Sequence, residues 1–477
     1  MEPIFELELD LTDLHRGQLL SSLHRQLSTA IMDGRLKAGI RMPASRKLAA
    51  SLGISRNTVI GVYDMLVSEG YLHSQLGAGT FVATVARPAV RSKAAQNNDP
   101  RVNRYWSNPP LFVVEHEQNC QWDFSVGSPE LSEFPFGGWQ RQVNRQMRLQ
   151  SKGNLPVPDP QGQPSLRDAI GGFVSHSRAV ACDAGQILIT TGAQQAFDLI
   201  ARILVKSGQT RVAMENPGYP MARMAFLAAG AQILDIAVDE EGILVSEIPS
   251  SVNIIYVTPS HQFPTGVAMS AARRAQLLAL AARHNMVIIE DDYDSEFRLG
   301  GPPIDALQTH DRHNSVFYVG TFSKCMLPDI RCGFVVAPRW AMSALIAAKQ
   351  QTDWHNPVVT QEALAQFIVQ GELLRHIRKM RRIYRQRYET ILASINKDAN
   401  SKMRPLPILA GVHVALAVES QWSSKEMVVR AKQVGIKLHS AKEFSTGNYN
   451  HKLLVLGFGH ISEQAIPAGI EKLINIL

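Results

Sequence analysis

Lys324, Asp291, Tyr293, Tyr219 and Arg331, with the turn Thr191–Gly192–Ala193–Gln194, are the residues whose types and spacing carry chemistry in this chain. Lys324 lies in VFYVGTFSKCMLPDIRCGFVV. It follows the apolar run Val316 to Val319 and a small-residue turn, Thr321–Phe322–Ser323, and precedes a second strand expected from Cys332 to Val336. A lysine at the end of a buried strand is poorly hydrated, so its ammonium gives up a proton more readily. Schiff-base formation with an aldehyde requires that; the plain alternative is a lysine snorkelling to the surface.

Asp291 follows Val287–Ile288–Ile289 and is expected to be buried, where a carboxylate needs a cationic partner. A protonated pyridine nitrogen is one such partner and an arginine is another. Tyr293, two residues on, faces the same side of a strand. Arg331, seven residues past Lys324, is placed to fork onto phosphate oxygens alongside the hydroxyls of Thr321 and Ser323. Gly192, Ala193 and Gln194 put free backbone amides at a helix N-terminus, a phosphate seat that any strand–turn–helix shares. Tyr219 is placed to stack on an aromatic ring. A phosphate seat, an acid for a ring nitrogen, a stacking ring and a Schiff-base lysine together describe one cofactor, pyridoxal 5'-phosphate.

The elements that must hold these groups follow from periodicity. From about residue 120, strands such as QILITT, NIIYV and MVIIEDD alternate with helical runs such as SAARRAQLLALAARHN. That order argues for a large, mostly parallel α/β sheet covered on both faces, with a smaller C-terminal subdomain. In such sheets ligands gather at the carboxyl ends of the strands, where every candidate above falls.

At 477 residues the chain exceeds one ordinary core. No apolar run approaches a membrane span, and MEPIFELELDLTDL lacks a signal peptide's basic and apolar regions. Cys120, Cys182, Cys325 and Cys332 show no C-x-x-C spacing. That points away from a metal site or disulfide framework and toward a cytoplasmic setting. The net charge of +7 is uneven: Arg16 to Arg87 hold nine Lys/Arg against three acids. Most of the excess positive charge therefore lies in the first fifth of the chain, which suits a polyanion there.

Within it, QLLSSLHRQLSTAIMD has helical spacing, SRKLAASLG reads as a short helix, and SRNTVIGVYDMLVSEG as another, capped by Ser55. YLHSQLGAGTFV then gives two short strands around Gly77 and Gly79. Helix, tight turn, helix and wing are the winged helix-turn-helix pattern. Ser55, Arg56, Asn57 and Thr58 open the second helix and would enter the major groove. Arg46 and the wing glycines' amides would reach phosphates or base edges. The expected boundaries are a DNA-binding domain at 16–84, a polar, proline-punctuated linker at 85–115 and an effector domain at 116–477.

The head resembles the GntR family of bacterial repressors, through Gly34, Leu36, Gly39, Pro43, Arg46, Ser55–Arg56, Thr58–Val59, Glu69–Gly70 and Gly77-x-Gly79-Thr80-Phe81-Val82. The rest resembles fold-type-I aminotransferases, with Asp159, Pro160, Gly162, Leu166 and Arg167 as DPxGxxxLR, then TGAQQA, ENPGY, PTG, EDDYDSEF and Lys324-x₆-Arg331 in family order. Together they resemble the MocR/GabR-like subfamily of transcriptional regulators. The resemblance implies that Lys324 carries the internal aldimine with pyridoxal phosphate, Asp291 pairs with the pyridine nitrogen, Tyr293 contacts the ring hydroxyl and Arg331 holds phosphate. It also implies a homodimer that binds double-stranded operator DNA and senses an amine, an amino acid or pyridoxal phosphate.

Three positions depart from the family pattern. Phe263 stands where an asparagine commonly precedes PTG, with His261 or Gln262 as substitutes. Val157 replaces a tyrosine that reaches a neighbour's phosphate, and Val455-Leu456-Gly457-Phe458 lacks the arginine that clamps a substrate carboxylate. Transamination is therefore expected to be residual at most, and a working aminotransferase with a DNA-binding appendage is the alternative. In Leu373 to Leu392, Leu374, Ile377, Met380, Ile383 or Tyr384, and Tyr388 form the expected apolar stripe with the charges outside. That leaves a solvated face, with a second DNA-contacting surface or an inter-domain contact as the alternatives.

Overall fold

In the computed structural model, residues 9–11, 18–84, 101–107, 120–300, 304–397, 402–447 and 449–477 are described. The chain divides into two compact units, Met1–Arg101 and Val102–Leu477.

In the first unit, the helix Leu19–Met32 buries Leu23, Leu27 and Ile31, a four-residue spacing that keeps them on one face. They pack with Leu48 of the helix Ser45–Leu52 and with Val59, Val62 and Leu66 of the helix Arg56–Ser68. Gly53 ends the middle helix in the left-handed region at φ +64, which allows the tight turn. Ser55 then caps the next helix by accepting from the Asn57 amide at 3.3 Å. The strands Leu72–Gln75 and Gly79–Val82 pair antiparallel as the wing, with Leu72 opposite Val82.

The second unit is built on an eight-stranded sheet. Its order is Ile187–Thr190, Gly333–Val336, Val316–Thr321, Val287–Asp292, Ile254–Val257, Arg211–Asn216, Gln232–Asp239 and Gly242–Ile243. Pairing is parallel from Val316–Thr321 through Gln232–Asp239. Gly333–Val336 instead runs antiparallel to both its neighbours. The strand after Lys324 therefore starts one residue later than expected and returns the chain against the sheet direction. A smaller antiparallel sheet, Met403–Pro405, His413–Val418, Leu453–Gly457 and His439–Ser440, forms the C-terminal part.

Most of the expected linker lies outside the described residues, but 101–107 do not behave as one. Arg104–Ser107 is a short helix, and the Tyr105 hydroxyl donates to the Met224 carbonyl at 3.1 Å, so this stretch belongs to the second unit. The basic stretch at 373–392 lies within one long helix, Glu372–Asn396, which buries Ile377, Met380 and Tyr384 of the expected stripe. Leu373 rather than Leu374 is buried, and Arg387 turns inward to donate to the carbonyl of Phe458 and to Glu130. A buried guanidinium is tolerable there because carbonyls and a carboxylate take its protons. Among the described residues no helix is long and apolar enough to cross a membrane.

The DPxG turn shows how a motif serves the fold. Arg167 donates to the carbonyls of Gly162 and Ala184 and to Asp159, and the Ile189 amide donates to the Gln161 carbonyl. The clasp fixes the strand that leads into Thr191 and Gly192. Gly162 sits at φ +102, and a Cβ there would lie 2.1 Å from Ile189 Cγ1. Gly162→Ala should therefore destabilise the body by about 2–4 kcal/mol through overpacking and backbone strain. Denaturant unfolding of the full chain measures this, and an unchanged midpoint would contradict it.

Candidate functional site

Because the strands leading to Thr191, Asn216, Thr258, Asp292 and Phe322 point the same way, their carboxyl ends bring distant residues together. Two-residue alternation along Val287–Asp292 sorts its acids. Glu290 and Asp292 face one side: Glu290 accepts from the amides of Leu307 and Gln308 at 2.7 and 2.9 Å, and Asp292 accepts from Arg178 and Tyr318, both at 2.7 Å. Asp291 faces the other side. The arginine that might have neutralised it is thus taken by its neighbour.

Asp291 is buried and accepts one hydrogen bond, from the Tyr256 hydroxyl at 2.5 Å. Its Oδ1 has no partner. Burial pushes its pKa up to about 7, helped by the charges of Asp292, Glu215 and Asp294 and opposed by Tyr256. Lys324 is half-buried, and its ammonium donates to the Gly127 carbonyl at 2.5 Å. Burial lowers its pKa, against the pull of Asp294 and Asp291. The amine is therefore closer to its nucleophilic, neutral form than a surface lysine.

Arg331 donates to the Thr191 carbonyl at 3.1 Å. Its guanidinium lies 3.2 Å from where a Cβ on Gly192 would sit. Gly192, at φ +80, is the N-cap of the helix Ala193–Leu204, so a guanidinium and free helix-start amides share one corner. Gln194 Nε2 donates to the Met221 carbonyl at 3.1 Å, and its Oε1 is buried without a partner. The Thr321 and Ser323 hydroxyls bond each other at 3.1 Å. Tyr219 packs edge-on to Phe197 and Phe263, and its pKa is raised to about 12 by burial and Asp291, with Arg331 opposing. Residues 191–194, 219, 291, 324 and 331 thus converge.

Tyr293 has a hydrogen-bond partner within the chain. Its hydroxyl donates to the His261 carbonyl at 2.9 Å and lies 3.1 Å from His261 Nδ1, which in turn contacts Asp294 at 3.0 Å. His413 lies against His261 with ring centroids 4.3 Å apart. Tyr256, Glu215, Asp294, His413 and Gly127 belong to this neighbourhood, and sequence reasoning misses all five, although Glu215 opens ENPGY and Asp294 lies in EDDYDSEF. Register brings Tyr256 there, opposite Ile289 and two positions from Asp291.

The orphaned Oδ1 of Asp291 tests whether pyridoxal phosphate fits. A protonated ring nitrogen supplies the missing donor, Lys324 offers an amine, and the Arg331–Gly192 corner suits a phosphate. The residues fit. In the first unit, Arg46, Asn57, Gly77 and Gly79 are at or near the surface, as is Arg56, whose Nε lies 3.5 Å from Ser45 Oγ. Gly79 has a further role, because a Cβ there would lie 2.9 Å from Arg41 Nε beneath the wing.

Two predictions follow from this geometry. A carboxyl whose folded pKa is raised binds its proton more tightly folded than unfolded, so its stabilisation is present at low pH and is lost as pH rises toward about 7. Without cofactor, Asp291→Asn should flatten that part of the fall in melting temperature between about pH 4 and 7. A wild-type-like pH profile in the variant would refute it. For the head, Arg56→Ala should weaken duplex binding by about 1–3 kcal/mol in gel-shift titrations at fixed salt.

Comparison with known proteins agrees with both halves of this description. A family model for aminotransferase class I and II matches residues 123–422, and one for bacterial regulatory proteins of the gntR family matches 19–82. The probable rhizopine catabolism regulatory protein MocR of Rhizobium meliloti is 37% identical over 374 residues, covering 78% of this chain and 76% of that one. The HTH-type pyridoxine biosynthesis transcriptional regulator PdxR of Corynebacterium glutamicum is 29% identical, covering 94% and 93%. Among solved structures, a Pyrococcus horikoshii kynurenine aminotransferase aligns with TM-score 0.69 and 27% identity over 75% of this chain and 90% of that one. The aminotransferase family and fold imply pyridoxal phosphate as cofactor. The chain therefore belongs to the MocR-type GntR-family transcriptional regulators, DNA-binding proteins that join a winged helix-turn-helix to a pyridoxal-phosphate-dependent aminotransferase-like domain.

Proposed function

We propose that the aminotransferase-like unit is a sensor: an amine, an amino acid or pyridoxal phosphate itself enters the Lys324 pocket and changes how the protein binds DNA. One observation carries the reading, a half-buried lysine of lowered pKa near a buried carboxyl with one oxygen unpartnered, on the same chain as a DNA-binding head. Pyridoxal phosphate, when bound, supplies an aldehyde that condenses reversibly with primary amines. Lys324 would offer the amine that holds it. Asp291 would take the charge of the ring nitrogen. Arg331 and the amides of Gly192, Ala193 and Gln194 would take the phosphate, with Thr321 and Ser323 beside them, and Tyr219 would pack against the ring. Tyr293, whose hydroxyl bonds His261, would orient the ring hydroxyl.

Occupation regulates only if it favours one arrangement of the protein over another, because differential affinity alone shifts such an equilibrium. The setting is cytoplasmic and the assembly a homodimer. Phe136, Met147 and Val157 are 52, 51 and 85% exposed on the second unit, apolar surface that a second copy would cover.

The alternative, a working aminotransferase, is favoured by the retention of Lys324 and Asp291. Against it, Val455 is fully buried with Phe263, Phe444 and Leu453, where a carboxylate-binding arginine was sought.

Titrating the cofactor-loaded chain with amines, amino acids and pyridoxal phosphate, while following the near-visible absorbance and DNA affinity together, separates these readings. Sensing requires both signals to move at the same ligand concentration, and Lys324→Ala to abolish the absorbance change. Keto acid accumulating over many cycles would establish the enzyme instead.

A further inference from the structure

The helix Glu372–Asn396 carries six arginines and a lysine against two glutamates. The fold uses three of these cations. Arg387 donates to Glu130 and Phe458, Arg381 donates to the Glu296 carbonyl at 2.5 Å, and Lys379 pairs with Glu133. The other four, Arg375, Arg378, Arg382 and Arg385, are all exposed. Among the described residues none of their guanidinium groups has a hydrogen bond or ion pair.

Their spacing of three, four and three residues places them in one row, within an arc of about 80° and along about 15 Å of helix. Acids stand only at its ends. Glu372, at the start, faces Arg141 at 3.7 Å, and Glu389 follows one step beyond Arg385. Arg141 opens a second exposed row, Arg141, Arg145, Arg148 and Lys152, along the helix Phe136–Ser151 and its cap, a helix with no acidic residue. Like charges three or four residues apart repel each other. Among the described residues no acidic side chain pairs with the Arg375–Arg385 row to offset that repulsion, whereas an external polyanion would.

We propose that the Arg375–Arg385 row is a second DNA-backbone contact, carried on the aminotransferase-like unit and indifferent to base sequence. Arginine's planar fork suits phosphate oxygens, and a row of this length spans about two to three phosphates along one strand. The proposal rests on the family's DNA binding and not on the sensing reading. Duplex DNA is the polyanion that the winged helix already brings to this chain. Phosphate contacts of this kind raise affinity and set register without reading bases.

The test uses the full, cofactor-loaded chain and random-sequence duplex DNA, with affinity measured by fluorescence anisotropy across a series of salt concentrations. Replacing Arg378, Arg382 and Arg385 together by alanine should make the slope of log affinity against log salt shallower by about 0.9 per lost contact, up to about 2.7. The matching triple lysine variant should keep the wild-type slope. Arg56→Ala, by contrast, weakens binding through the head, so its outcome stands apart from the row's. An unchanged slope in the alanine variant, with cofactor absorbance and melting temperature intact, overturns the proposal and leaves the row to an acidic protein surface. A slope lost equally in the lysine variant also overturns it, since charge would then not be the cause.

Discussion

A carboxyl group buried at Asp291 with one oxygen unpartnered is the constraint around which the effector unit is organised. In a sheet whose strands are apolar on both faces, such a group is tolerated only if it stays protonated or meets a cation. The surroundings enforce that choice. Arg178 is spent on Asp292, Tyr256 supplies a single hydrogen bond, and the neighbouring acids Glu215 and Asp294 make ionisation harder still. Lys324 sits nearby but donates to the Gly127 carbonyl, so it does not neutralise Asp291. The site is left with an unmet demand for positive charge, which a cationic ring nitrogen would satisfy.

Charge is sorted by direction throughout the second unit. Along Val287–Asp292 the two-residue alternation sends Glu290 and Asp292 to structural partners and Asp291 to the pocket. Along Glu372–Asn396 the helical period sends Arg381 and Arg387 inward to carbonyls and Glu130, and leaves a clean row of arginines outside. Residues of one type, a position or two apart, thus differ between holding the fold and facing a partner.

The head reaches its form with fewer devices. Its apolar residues repeat at helical spacing, Gly53 permits the tight turn between helices, and Ser55 supplies the cap. Gly79 lets Arg41 lie beneath the wing. Each depends on residues close in sequence, and that is why the winged helix was legible almost to the residue. The same holds for the turn at Thr191–Gly192 and the alternation of strands and helices.

By itself the sequence determined the local elements, the division into a DNA-binding head and an aminotransferase-like body, and the identities of Lys324, Asp291, Tyr219 and Arg331. All of these are written in short-range pattern. Tertiary structure alone decided which partner each charged group meets. Tyr256, Gly127 and His413 arrive from separate strands and loops, so no spacing could announce them. It likewise decided that Tyr293 bonds His261, that Gly333–Val336 runs antiparallel, and that Arg387 turns inward from a helix expected to hold its charges outside. The physical reason is the same in each case. Burial and hydrogen bonding depend on what lies across space, and only the folded chain brings those groups within 3 Å or so of one another.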